Sequence, residues 1–145
     1  RQGGPRRRGR RRGGVKLVAL DHGPVRTGVA VSDPTGTIAR PLGVVERVGS
    51  AAGFAALLAI LAAECPERIV VGLPRSLGGG EHGQARSARA FAARLSAAVE
   101  VPVELFDERY TTKLADQRGG VAGRDARAAA TLLEDYLRTV HGQGT

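Results

Sequence analysis

The sequence has 145 residues, of which 42% are hydrophobic, and this is enough for one compact domain with a buried core. Aromatic residues make up only 3%, so a surface of aromatic platforms for stacking bases is not expected. The net charge of +8 comes from residues 1–12, which hold seven arginines and no acidic residue, while the remainder carries 15 Lys and Arg against 14 Asp and Glu.

The predicted elements begin after an Arg-rich segment, RQGGPRRRGRRRGG, at residues 1–14. Its glycines and like charges oppose a packed core, so we expect a disordered tail. Such a tail either adds salt-dependent affinity for phosphate backbones or is merely solvated. We expect residues 15–140 to form the domain and residues 141–145 to form a C-terminal tail.

Three strands are predicted first, at residues 15–21, 27–33 and 37–46, because short Val- and Leu-rich runs alternate with turn residues. Gly23 and Pro24 make the first connection a tight antiparallel hairpin. Asp33 opens the turn DPTG, in which Pro presets the backbone. Pro41 places the third strand at the edge of the sheet, where a missing N–H does no harm.

Helices and strands alternate from Ser50 onward. Ser50 is expected to cap a helix ending near Ala63. The following elements are expected to be a strand at 68–74, a helix at 84–98, a strand at 101–109, a short helix near Thr111 or Thr112, a break at 117–124, and a helix at 125–140. The order predicts an α/β domain with a five-stranded mixed sheet and helices on both faces. Its first three strands form an antiparallel meander, and the first, fourth and fifth strands are parallel.

Acidic residues stand at the ends of two of these strands. Asp21 ends the first, and Asp107 and Glu108 end the fifth, so the parallel arrangement brings them to one edge of the sheet. Asp125 lies one turn before the apolar stripe of the last helix and in line with it, so it either caps that helix or faces the site. Position alone slightly favours the cap. Asp135 lies off the stripe and is expected to be solvated.

Converging carboxylates repel one another unless a cation neutralises them. Oxygen-only ligands suit Mg²⁺ or Mn²⁺ better than zinc, and a pair of such ions suits phosphodiester hydrolysis. The three histidines, His22, His82 and His141, are scattered and lack zinc-ligand spacing. His22 should point to the opposite face from Asp21 and is expected to be structural.

Four segments, LDHGPVRTGVAVSDP, VVGLPRSLGGGEHGQARSARAFAARL, FDERYTT and DARAAATLLEDYL, resemble the YqgF/RuvX family of RNase H-like nucleases over nearly all of residues 15–140. The resemblance implies an RNase H-like fold and a metal-dependent endonuclease that matures the 5′ end of pre-16S rRNA in the bacterial cytoplasm. It implies that Asp21, Glu108 and Asp125 are catalytic and bind Mg²⁺ or Mn²⁺, which decides the role of Asp125 in favour of the site. Gly23 and Gly28 would let the hairpin close beside it.

The candidates for contacting nucleic-acid phosphates are Arg26, Arg109, Arg75 and Lys113, since cationic side chains match phosphate. Asp107 is a possible fourth acid, although strand alternation sets it opposite Glu108. Two features depart from the family pattern: the segment between Thr112 and Asp125 is shorter than usual, and Ser76 stands where Asn is usual. These departures concern substrate recognition rather than the acids.

Three other functions compete with rRNA processing. A Holliday junction resolvase would act on four-way DNA and needs two sites, whereas trimming an RNA end needs one, so we expect a monomer or a weak homodimer. An RNase H-like ATPase would need a second domain. A non-catalytic RNA- or ribosome-binding factor would rely on the basic tail. The one cysteine, Cys65, and the short apolar stretch at 51–63 favour a cytoplasmic protein without a membrane span.

Overall fold

A computed structural model describes residues 15–73, 83–107 and 120–144. The elements are β1 (Leu17–His22), β2 (Arg26–Ser32), β3 (Ala39–Glu46), α1 (Ala51–Glu64), β4 (Arg68–Leu73), α2 (Gly83–Ala98), β5 (Val103–Asp107) and α3 (Gly120–Gly144). The predicted tail at 1–14 and the predicted short helix near Thr111 lie outside the described residues.

The five strands form one mixed sheet in the order β3-β2-β1-β4-β5. β1 pairs with β2 and β2 with β3 in antiparallel fashion, whereas β1 pairs with β4 and β4 with β5 in parallel. The predicted architecture is therefore confirmed. β3 is an edge strand, and its pairing with β2 shifts register between Val29 and Ala30, next to Pro41, so the proline sits where a ladder bond is least needed.

Helices α1 and α2 cover one face of the sheet, and α3 covers the other. The first face buries large side chains such as Leu20, Val29 and Val71 against Phe54 of α1 and Leu95 of α2. The face under α3 is lined with smaller residues. In β1 and β2 the fully buried residues on that face are Ala19 and Ala30, and they pack against Ala129, Leu132 and Leu133. Because these side chains are short, α3 can approach the sheet closely.

Local signals in the sequence explain several boundaries. The Ser50 hydroxyl accepts a hydrogen bond from the Gly53 N–H at 3.0 Å and caps α1, as predicted. Asp33 holds the β2–β3 loop, because its carboxylate accepts the backbone N–H groups of Thr37 at 2.9 Å and Ile38 at 2.8 Å. The Thr35 hydroxyl also donates to this carboxylate. That hydrogen bond, followed by the bonds from the backbone, holds the pKa of Asp33 well below its ordinary value.

Helix α3 differs from its prediction at both ends. It begins at Gly120 rather than near Asp125, and it continues past Val140 to Gly144. Residues 120–124, expected to break the helix, are its first residues, because the packing of α3 on the sheet outweighs the low helix propensity of glycine.

Asp135 was expected to be solvated, but it is only 6% exposed. It accepts a hydrogen bond from Arg138, and burial raises its pKa. In the described part of the chain, no helix is long and apolar enough to cross a membrane.

Candidate active site

Asp21 occupies the next-to-last position of β1, on the face that α3 covers. It is in phase with Leu17 and Ala19, which pack beneath that helix. Its partner across the antiparallel ladder is Gly28 of β2, and directly opposed residues point to the same face. The carboxylate is therefore at the carboxyl end of β1, where ligands of such sheets bind.

Gly28 is the point where α3 touches the sheet. A Cβ atom built on Gly28 would lie 2.6 Å from the carbonyl carbon of Asp125 and 3.3 Å from the nitrogen of Ala126. Only glycine permits the helix backbone to come so near. Gly28 was expected to help the hairpin close, but the space that it leaves is filled by the backbone of α3. Since Asp21 is opposite Gly28, this contact brings Asp125 beside Asp21.

Asp125 lies inside α3, five residues after its first residue Gly120, so it is not the N-cap that position alone had slightly favoured. Its Oδ2 accepts a hydrogen bond from Nε of Arg26 at 3.0 Å. The two side chains are 29% and 34% exposed, respectively. Arg26 was predicted to contact phosphate. The structure places its guanidinium against Asp125, within the site, and contact with phosphate stays a prediction.

Asp107 is on the other side of the sheet. Leu105, two residues earlier in β5, packs against the core beneath α1 and α2, whereas Phe106 packs edge to face with Tyr136 of α3 at a ring distance of 5.4 Å. Alternation therefore sets Asp107 on the face opposite Asp21, so Asp107 is not a fourth acid beside it. Glu108, Arg109, Arg75 and Lys113 lie outside the described residues. Among residues 15–73, 83–107 and 120–144, no group of three or more His, Cys, Asp or Glu side chains could hold a metal ion.

His22, the residue after Asp21, ties β1 to α2 on the opposite face. Its ring stacks on Phe91 with centroids 4.4 Å apart. Nδ1 lies 3.3 Å from the Thr27 hydroxyl, and Nε2 lies 3.0 Å from the Ser87 hydroxyl. Burial lowers the pKa of His22. The sequence predicted its face but not its partners on α2, because Ser87 is 65 residues away along the chain.

The acidic end of β1 can therefore do two things chemically. Asp21 and Asp125 offer carboxylate oxygens on one face, which is a donor type preferred by hard divalent cations. Arg26 holds Asp125 and adds a cation at the same place, which favours an anionic group such as phosphate. A mixed five-stranded sheet of this topology with acids at this edge defines an RNase H-like domain.

Comparison with known proteins agrees with this class. A family model described as "RuvX: Holliday junction resolvase" matches residues 15–139, and the chain belongs to this family. Two relatives named "Putative pre-16S rRNA nuclease" are 42% and 44% identical to it. The first, from Anaeromyxobacter dehalogenans, aligns over 85% of this chain and 96% of its own length. The second, from Moorella thermoacetica, aligns over 85% and 94%.

Solved structures show the same fold. The RuvC structure from Thermus thermophilus has a TM-score of 0.51 and is 20% identical, covering 88% of this chain and 97% of that one. A second structure, T. thermophilus RuvC in complex with Holliday junction substrate, has a TM-score of 0.50 and 21% identity and covers 88% and 96%. Membership of the family, whose relatives are named nucleases, makes the chain a hydrolase that acts on ester bonds.

Proposed function

We propose that this protein is a metal-dependent endonuclease that cleaves phosphodiester bonds in the 5′-end maturation of pre-16S rRNA, in the bacterial cytoplasm. One observation carries the proposal: Gly28 admits the backbone of α3 at Asp125 directly opposite Asp21. This approach supports a site in which two acidic residues from distant parts of the chain act together at the carboxyl end of a central strand. The names of the relatives at 42% and 44% identity favour rRNA as the substrate.

The metal would be held by Asp21, Asp125 and Glu108. The donor set fits Mg²⁺ or Mn²⁺, because all three side chains offer carboxylate oxygens. Glu104 and Phe106 of β5 alternate onto the face of α3, and Glu108 is two positions further along the sequence. When bound, such an ion supplies an activated water and stabilises charge on the leaving oxygen.

Arg26 has two roles in this proposal. Its Nε donates to the Asp125 carboxylate at 3.0 Å, so this carboxylate is oriented before the substrate arrives. Its remaining N–H groups suit a phosphate oxygen of the substrate. Arg109, Arg75 and Lys113 are proposed as further phosphate contacts. A single active site is sufficient for trimming one RNA strand, so the proposal requires only a monomer, and a weak homodimer is compatible with it.

The proposal is tested by cleavage of a structured pre-16S rRNA fragment with Mg²⁺ or Mn²⁺. Asp21→Asn and Asp125→Asn should each lower the cleavage rate by at least about a hundredfold, since each removes a charged ligand. Glu100→Gln is the control, because it also removes one negative charge but from an exposed position before β5. Unchanged cleavage by Asp21→Asn would refute the proposal and leave a non-catalytic RNA- or ribosome-binding factor.

A Holliday junction resolvase is the second candidate, favoured by the description of the matching family model. It is distinguished by giving the protein a four-way DNA junction in parallel with the RNA. Faster cleavage of the junction, with paired symmetrical cuts, would support the resolvase and would require two copies of the site. Faster cleavage of the RNA supports rRNA processing.

A further inference from the structure

A groove of about 270 Å³ opens on the face of the sheet opposite Asp125. Three segments form it: the hairpin turn after β1, the connection between β3 and α1, and the middle of α2. The residues that matter here are His22, Gly23, Gly49, Ala90, Phe91 and Arg94. A space of this size admits the base and sugar of one unpaired nucleotide, whereas a duplex would have to lie across the opening.

The groove has a built floor rather than a chance opening between helices. Arg94 of α2 donates from Nη1 to the carbonyl oxygen of Val48 at 3.0 Å, and its guanidinium lies 3.8 Å above the ring of Phe54. Ser87 holds the ring of His22 from the α2 side at 3.0 Å. These contacts fasten the three segments to one another and place polar hydrogen-bonding groups beside an apolar surface, which is typical of ligand sites.

The three segments that line the groove carry charge of one sign. Four arginines and no aspartate or glutamate occur in these segments, which are residues 22–24, 47–50 and 83–98. These are Arg47, Arg86, Arg89 and Arg94, and all four are exposed. A concentration of positive charge of this kind raises the local concentration of a polyanion and favours contact with phosphates.

The groove and the candidate active site are built on the same hairpin. His22, which lines the groove, directly follows Asp21, and the turn between them and Arg26 is closed by a hydrogen bond from the Gly23 N–H to the Arg26 carbonyl oxygen at 3.0 Å. The two sites therefore share one hairpin, with the acids on the α3 side and the groove on the α2 side. A strand bound at the acids and passing over the turn would enter the groove.

We propose that this groove binds an unpaired nucleotide of the RNA substrate, next to the cleaved bond along the strand. The inference rests on the proposed nuclease function and names the form of RNA that it takes, a single-stranded segment at the cut. The base lies against the apolar wall at Ala90, and the phosphates face the arginines of α2. The groove thereby distinguishes a single-stranded RNA end from a continuous duplex.

Ala90→Glu tests the proposal, because Ala90 is exposed and lines the groove, so the substitution adds size and negative charge without removing a contact. Binding of a short labelled single-stranded RNA is measured by fluorescence anisotropy without divalent metal. We expect about tenfold weaker binding, the loss of one nucleotide contact. Binding of the same sequence as a duplex should change much less.

Ala97→Glu is the matched control. It places the same charge two turns further along the same exposed face of α2, outside the groove. Gly49→Asp is a second test from the opposite wall, since a Cβ at Gly49 meets nothing within 4 Å and the fold should tolerate it. Wild-type binding by both groove variants, or an equal loss with Ala97→Glu, would overturn the proposal.

These outcomes are separate from those of the nuclease proposal. If Asp21→Asn stops cleavage but both groove variants bind single-stranded RNA normally, the groove is refuted and the nuclease stands. If Asp21→Asn cleaves normally, the nuclease is refuted whatever the groove variants show, and the groove's place beside a cleaved bond is refuted with it.

Discussion

Gly28→Ala is the most informative single change, because it alters the distance between two elements rather than a chemical group. The added methyl group would lie 2.6 Å from the carbonyl carbon of Asp125, where ordinary contacts begin at 3.4 Å. Backbone cannot give way as a flexible side chain can, so the first turns of α3 must retreat from the sheet by roughly an ångström. Asp125 moves with them, away from Asp21.

Two effects with separate measurements follow. Forcing a methyl group into a filled contact should lower the free energy of unfolding by about 1–3 kcal/mol, which thermal denaturation measures. Misplacing a catalytic group by about 1 Å should slow cleavage by roughly a hundredfold, which single-turnover cleavage of the rRNA fragment measures below the melting temperature.

Two other glycines separate these effects. A Cβ at Gly53 would lie 2.5 Å from backbone atoms of Glu46 and Arg47, so Gly53→Ala should destabilise the fold similarly, but it acts on α1, on the other face. Gly43→Ala should do neither, since nothing lies within 4 Å of its Cβ. The role of Gly28 in positioning Asp125 is refuted if Gly28→Ala cleaves at the wild-type rate, or if Gly53→Ala loses as much activity as Gly28→Ala.

Three further predictions concern side chains. Arg26→Gln should slow single-turnover cleavage roughly tenfold by releasing Asp125, and Arg26→Lys should recover part of the loss. The melting temperature should change little because the pair is partly exposed. Cleavage by Arg26→Gln at the wild-type rate would contradict a positioning role. Asp33→Asn should lower the melting temperature at neutral pH, and its difference from wild type should shrink as the pH falls below 3.8, since the lowered pKa contributes stability only while the carboxylate is charged. Burial and Glu104 raise the pKa of Tyr136 from 10.0 to about 12, so its contribution to stability, complete below pH 10, should be lost as the pH rises through 12; chemical denaturation of Tyr136→Phe should show a flatter dependence over this range.

Much of the fold was predictable because the signals were local. The order of strands and helices followed from runs of apolar residues separated by turns, and the edge position of β3 followed from Pro41. Ser50, as a helix N-cap residue, predicted the start of α1. The opposite orientations of Asp21 and His22 also followed, because successive side chains in a strand point to opposite faces.

The remainder depended on contacts between distant segments. The start of α3 at Gly120 could not be predicted, because a Gly-rich stretch ordinarily ends a helix and only packing against the sheet retains it. The burial of Asp135 was missed for the same reason, since the apolar stripe is only part of the surface that α3 buries. The pairing of Arg26 with Asp125 joins residues 99 positions apart, and no pattern within either segment indicates it.

The two faces of the sheet explain why one hairpin serves two purposes. On the face of α3, small residues let the helix backbone reach Gly28. This close approach of the backbone brings Asp125 near Asp21. On the other face, large residues hold α1 and α2 further out, and space remains for a groove at the same turn. Asp21 and His22 are adjacent, so alternation must send one to each face. Any shift of the β1–β2 hairpin would therefore change the acids and the groove together, and the stacking of His22 on Phe91 ties this hairpin to α2.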